Sequence, residues 1–204
     1  MRKPCLYPGS LLQLMSHEFQ RFSFDNGIRL LVTECAHLHQ VEMVCYVGVG
    51  SRYETAAQAG ISHFLEHMMF RGNARYATGP LIEQAFEAIG GTVNAATDAE
   101  TTSYYASVHP DHVVDGIQLF ADLLQSPRFE GLETERSIVL EEALSDFNEQ
   151  GEDICPDNLM GRMMWGAHAL ALPVIGFPQT IRAFSREDLV DWYHRYYTPD
   201  NLVI

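Results

Sequence analysis

The sequence predicts an α+β fold, a mixed or antiparallel sheet packed against helices, and three observations predict it. Strand-like apolar runs fill the first fifty residues after the N-terminal stretch. Helix-spaced apolar stripes dominate from residue 60 onward, interrupted by one further pair of strands. No repeat, linker or charge block divides the 204 residues, so the elements are expected to share one core. Apolar residues make up 47% and charged residues 20% of the chain, which excludes a disordered polypeptide.

The elements follow in order. Phe19–Phe24 and Ile28–Glu34 read as paired strands joined by Asp25-Asn26-Gly27, residues that tolerate the positive φ angles of a tight turn. Val41–Val47 is a third strand, apolar enough to lie inside a sheet, and GVGSRYE after it is a turn. A helix is expected over about Ile61–Arg71, bounded by Gly60 and Gly72. Pro80 suits the first turn of a second helix, with Leu81, Ile82, Phe86 and Ile89 at helical spacing before Gly90-Gly91. TVNAATD and TTSYYASV read as two more strands. Pro110 opens a helix whose expected stripe is Val113, Val114, Ile117, Phe120, Leu123 and Leu124. Further helices are expected over about Leu132–Phe147, Pro156–Trp165 and from Ser185 through Tyr197, and LVI at the end is an incipient strand. Residues 1–18 are thus expected to be an N-terminal extension and 19–204 a single domain that stops within its last strand.

Several function classes are set aside at once. A net charge of −14 and the lack of a basic stripe argue against a nucleic-acid partner; the charge instead favours a basic ligand by long-range attraction, the bland alternative being a surface charge that serves only solubility. No run approaches the ~20 apolar residues of a membrane helix. Arg2 and Lys3 precede an apolar stretch broken by Pro8, Gly9 and Gln13, with no small-residue cleavage site, so no signal peptide is expected. Cys5, Cys35, Cys45 and Cys155 form no CxxC pair, and a reducing, cytoplasmic setting is the expectation.

The chemistry lies in GISHFLEHMMF, which puts His63, Glu66 and His67 on one helix. His67 sits about 40° round from His63 and about 6 Å along the axis, so both imidazoles face one side and can share an ion. Glu66 flanks them, within reach of a water on that ion without being a ligand. The bland alternative is two ordinary histidines on an amphipathic helix. A catalytic zinc usually has three protein ligands, and the helix around ERSIVLEE offers Glu135 and Glu142, seven residues apart and about 20° off a common face. One can ligate while the other supports. Glu141, turned about 100° away, is expected to be solvated. His37, His39, His109 and His112 are read as solvated or capping residues, and Met68, Met69, Met163 and Met164 as core fillers.

HFLEH followed by ERSIVLEE resembles the inverzincin metallopeptidases of the pitrilysin family, the group that includes mitochondrial processing peptidase and insulin-degrading enzyme. The resemblance runs from Phe19 to Ile204, through FDNGIRLLV, VGVGSRYE, GISHFLEHMMFRGN, GTVNAATDAETTSYYASV, ERSIVLEE and YYTPDNLVI. It implies a metallopeptidase half-domain binding one Zn²⁺ per chain through His63, His67 and Glu142, with Glu66 as general base and Glu135 as supporting acid. It also implies that Asn94, Ala95 and Ala96 form the edge strand on which peptide substrate adds as a further strand. Position 96 departs from the family's frequent larger aromatic, and His168–Gly176 lacks the first proline, internal glycine and arginine of the family's HPLGRPILG stretch.

The resemblance implies a zinc-dependent endopeptidase. Because family members are built from two similar halves, the alternative is a catalytically incomplete half that needs a second homologous half or dimer partner. A third reading is a zinc lyase similar to S-ribosylhomocysteinase, in which Cys155 replaces Glu142 as ligand.

Overall fold

A computed structural model describes residues 19–150 and 152–204; the expected N-terminal extension and Cys5 lie outside the described residues. Strands β1 (Phe19–Ser23), β2 (Arg29–Thr33), β3 (Val41–Val47), β4 (Thr92–Thr97), β5 (Thr102–Val108) and β6 (Leu202–Val203) form one six-stranded sheet in the order β1-β2-β6-β3-β5-β4. Only the β2–β6 pair is parallel, so the sheet is mixed, as the sequence predicts. The terminal LVI segment inserts between β2 and β3, where Val203 lies opposite both Arg29 and Tyr46.

The register explains the core. Met43, Cys45 and Val47 of β3 lie opposite Ala106, Tyr104 and Thr102 of β5, and all six are buried. Since successive residues of a strand alternate between faces, Tyr46 and Tyr105 project from the other face and are exposed. Onto the buried face pack Phe64, Leu65, Met68 and Met69 of α1 (Ile61–Met69), Ile82 and Phe86 of α2 (Gly79–Glu87), and Leu119, Phe120 and Leu123 of α3 (Val113–Gln125). Val139 of α4 (Leu132–Ala143) and Leu189 and Trp192 of α7 (Arg186–Tyr196) complete it. Met68 and Met69 are core fillers as expected. No helix among the described residues is long and apolar enough to cross a membrane.

The structure corrects four local expectations. The inward face of α3 is Gly116, Leu119, Phe120, Leu123 and Leu124, while Val114 and Ile117 are exposed. The helix is rolled because Gly116 lets it press on the sheet: a Cβ there would lie 2.9 Å from Val108 Cγ1 and 3.1 Å from Met43 Cε. The helix expected over Leu132–Phe147 ends at Ala143 and tightens into one 3₁₀ turn, Leu144–Asp146. Met163 and Met164 are not core fillers; α5 (Pro156–Trp165) buries none of its residues, and Met163 is 88% exposed. Finally, a six-residue helix α6 (Pro178–Ala183) was not anticipated, being too short to show a period. It is pinned by Thr180, whose hydroxyl donates to the Ala59 carbonyl at 2.6 Å.

Candidate metal centre

Helix α1 is locked at its start before it presents any ligand. Gly60 takes φ +94° at the N-cap, and a Cβ there would come within 2.4 Å of the Ile175 carbonyl oxygen. The first amides of a helix need acceptors from outside it. The buried Glu54 supplies them: its Oε2 accepts from Gly60 N at 2.7 Å and its Oε1 from Ser62 N at 2.9 Å. Trp192 Nε1 then donates to Ser62 Oγ at 3.2 Å, tying α7 to the same point. Burial pushes the Glu54 carboxyl up to about 7, against the opposing pull of the Ser62 and Gly60 hydrogen bonds.

One turn on, His63 and His67 do share a face. Their Nε2 atoms are 3.2 Å apart. Glu142, from the last turn of α4, brings Oε2 to 3.3 Å from His67 Nε2 and Oε1 to 3.7 Å from His63 Nε2. A tetrahedral zinc with ligand bonds near 2.0–2.1 Å separates its ligands by about 3.3 Å, so spacings of 3.2, 3.3 and 3.7 Å lie near that value, and imidazole and carboxylate are donors that zinc takes. Among the described residues His63, His67 and Glu142 are the group able to hold a metal. Cys155 lines the neighbouring cleft but is not in that group, so the third ligand that the lyase reading requires is not among these donors.

Glu135 has a different place. Its carboxylate accepts from His67 Nδ1 at 2.8 Å, on the far side of the ring from Glu142, and its Oε2 lies 3.4 Å from Arg71 Nε. Glu135 is buried, whereas the Glu142 side chain is 46% exposed. When the His67 ring is neutral, an Nδ1–H donated to Glu135 leaves the Nε2 lone pair turned toward His63 and Glu142. Burial, reinforced by the neighbouring His67, pulls the His63 imidazole down to about 4 and favours its neutral form. For His67 burial acts downward, but the Glu135 hydrogen bond and the Glu142, Glu135 and Glu66 carboxylates outweigh it and hold the imidazole above its ordinary value.

Glu66 lies beside these donors and accepts a hydrogen bond from Thr97 Oγ1 at 2.6 Å. Burial raises its carboxyl above the ordinary value, with Thr97 and His67 acting in the opposite direction. Two clefts meet at Glu66 and His67. One, of 490 Å³, is lined by Ala95, Ala96, Glu142, Asp146 and Asp157 among others; the second, of 520 Å³, by Val93, Asn94, Arg71 and Glu135. Asn94, Ala95 and Ala96 lie on β4, the edge of the sheet nearest this centre. The Asn94 carboxamide accepts from Ala95 N at 2.8 Å. Of the other histidines, His109 Nδ1 accepts from Asp111 N, a capping role.

The structure brings His63, Glu66, His67, Glu135 and Glu142 together, and adds Glu54, Arg71 and Thr97, which no motif in the sequence marks. Glu54 stands in a segment that reads only as a turn, and Arg71 and Thr97 reach their partners through the tertiary fold, with no spacing to reveal them.

An HxxEH helix answered by a glutamate from a second helix is the plan of an inverted-motif metalloprotease. The chain belongs to the insulinase family, Peptidase family M16, whose model matches residues 30–176. It is 35% identical over 187 residues to the uncharacterized zinc protease YmxG of Bacillus subtilis, covering 91% of this chain and 45% of that one. It is also 35% identical over 193 residues to the beta subunit of mitochondrial-processing peptidase of Dictyostelium discoideum, covering 93% and 40%. The fold matches a protease from Helicobacter pylori with a TM-score of 0.79 at 22% identity, over 91% of this chain and 45% of that one. Pitrilysin matches at 0.78 and 22%, over 94% and 21%. The chain thus spans less than half the length of these curated relatives.

Proposed function

We propose that this chain is the metal-binding half of a zinc-dependent endopeptidase acting on peptides or small unfolded proteins, with one Zn²⁺ per chain held by His63, His67 and Glu142. The observation that carries the reading is the cluster of donors, with His63 Nε2 and His67 Nε2 3.2 Å apart, Glu142 Oε2 3.3 Å from His67 Nε2 and Glu142 Oε1 3.7 Å from His63 Nε2, and Glu66 on the same helix as the histidines. When bound, the ion supplies Lewis acidity, polarising the scissile carbonyl and lowering the pKa of an attacking water towards neutrality.

The chain's own residues do the rest. Glu66 acts as general base, taking a proton from the attacking water and passing it to the departing amine; its raised carboxyl sits closer to neutral pH, which suits a group that must both accept and return a proton. Glu135 orients His67. The edge strand at Asn94, Ala95 and Ala96 receives the peptide by backbone hydrogen bonding, which accepts varied sequences. Val93 and Asn94 line one cleft and Ala95 and Ala96 the other, so a peptide laid along β4 crosses the centre.

Glu66→Gln is the test: the variant should keep one zinc per chain and lose peptide hydrolysis, and hydrolysis at the wild-type rate would remove Glu66 from its role. A second reading is favoured by the 45% and 40% coverage of the relatives: the chain works only with a second homologous half, as a partner chain or further polypeptide. Zinc-loaded protein that hydrolyses a peptide only after that half is added decides for it.

A further inference from the structure

We infer that Thr97 is a positioning residue for the general base, and that residues 50–54 bracket both sides of the Thr97–Glu66 contact; the inference rests on the peptidase reading above. Thr97 Oγ1 donates to Glu66 Oε2 at 2.6 Å, a short charge-assisted bond. It claims one carboxylate oxygen and leaves the other for a water. A free glutamate on a helix has several rotamers, and proton transfer requires one of them to be held within hydrogen-bond reach of the proton.

The hydroxyl itself is held firmly. Thr97 is the last residue of β4, paired with Thr102, and the buried Thr102 donates to the Val49 carbonyl at 2.9 Å. The turn between them is closed by Asp98, whose Oδ1 accepts from Glu100 N at 2.6 Å and Thr101 N at 2.8 Å. That turn docks on residues 50–52: Ser51 N donates to Asp98 O at 3.2 Å and Arg52 N to Ala99 O at 2.8 Å. Gly50 is required for the approach, since a Cβ there would lie 2.2 Å from the Asp98 carbonyl oxygen. Two residues further, Glu54 grips the first amides of α1. One segment therefore fixes the strand that carries the hydroxyl and the helix that carries the carboxylate. Because β4 is also the strand proposed to receive the peptide, the base and the substrate backbone are referenced to the same piece of chain.

The test compares zinc-loaded wild type, Thr97→Val and Thr97→Ser, with the second half added if hydrolysis requires it, on a quenched-fluorescent peptide mixture. Zinc content should be one per chain in all three. Thr97→Val should lower kcat about 10- to 100-fold, the worth of one hydrogen bond to a charged group, with KM changed less than about twofold. Thr97→Ser, which restores the hydroxyl, should recover kcat to within about threefold of wild type. Crystal structures should show Glu66 bonded to residue 97 in wild type and Thr97→Ser, and turned away or spread over rotamers in Thr97→Val. Wild-type kcat in Thr97→Val, a Thr97→Ser variant as impaired as Thr97→Val, or an unmoved Glu66 in Thr97→Val overturns the assignment. If zinc-loaded wild type hydrolyses nothing under any of these conditions, the peptidase reading falls, and the position of Glu66 in the crystals alone then decides for or against Thr97.

Discussion

Removing the Glu135 carboxylate should weaken zinc binding without removing a ligand. In the Glu135→Ala variant His67 loses the acceptor 2.8 Å from its Nδ1, and its ring is free to turn and to place its remaining proton on Nε2, the atom that faces Glu142. Outer partners of this kind are worth about 10- to 100-fold in metal affinity, which corresponds to about 1.4–2.7 kcal/mol. Arg71 also loses its ion-pair partner, so the apoprotein should be less stable by about 1–3 kcal/mol; the lower part of that range is expected because the Arg71 side chain is 34% exposed and screened by solvent. Glu135→Gln keeps an acceptor for His67 but not the charge facing Arg71, and should fall between. The assay is competition for zinc against a chromophoric chelator at fixed pH and salt, with Glu142→Ala as the contrast. Glu142→Ala, which removes the proposed ligand itself, should weaken binding more than Glu135→Ala, which removes only the support of His67. Wild-type affinity in Glu135→Ala, or a larger loss there than in Glu142→Ala, would show that the two glutamates have been given each other's parts.

Two further outcomes follow from the start of α1. A carboxyl raised from about 4.5 to about 7 in the folded state binds its proton more tightly there than in the unfolded chain, so its contribution to stability is full below about pH 4.5 and is lost as pH rises through about 7. Denaturant unfolding of wild type minus Glu54→Gln should therefore decline across that window by up to about 3 kcal/mol; a difference that is flat or grows with pH is the contrary result. Gly60→Ala places a Cβ 2.4 Å from the Ile175 oxygen at φ +94°, where a left-handed residue alone costs about 1–2 kcal/mol. Its unfolding free energy should fall by more than that, and a midpoint equal to wild type would mean that the helix start is not clamped as described.

Much of this molecule was legible before any coordinates because its signals are periodic. The Phe19–Thr33 hairpin, β3 and the two histidines of α1 declare themselves by spacings of two and four, and local geometry fixes which faces they share. Failures occur where a neighbour decides. The roll of α3 is set by Val108 and Met43 pressing on Gly116, neither of which the helix's own period contains. The exposed methionines of α5 have the same composition as a buried stripe, since apolar residues also occur at surfaces. Thr97 and Glu66 are 31 positions apart, and Glu54 caps a helix that begins after an intervening turn; no pattern within one element predicts either pairing.

The two glutamates of α4 show how far a spacing reaches and where it stops. Seven residues put Glu135 and Glu142 on one side of the helix, but which of them is proposed as the ligand follows from how α4 crosses the protein. It starts where Glu135 is 5% exposed, against the far side of His67 and beside Arg71, and ends where the Glu142 side chain is 46% exposed at the mouth of a cleft. A supporting carboxylate works best away from water, where its hydrogen bond to the imidazole is strong. A ligand of a hydrolytic metal must instead leave one position accessible to water and substrate. The gradient of burial along a single helix therefore favours the proposed division, with Glu135 as the support on the protein side of the imidazole and Glu142 as the ligand on the more open side.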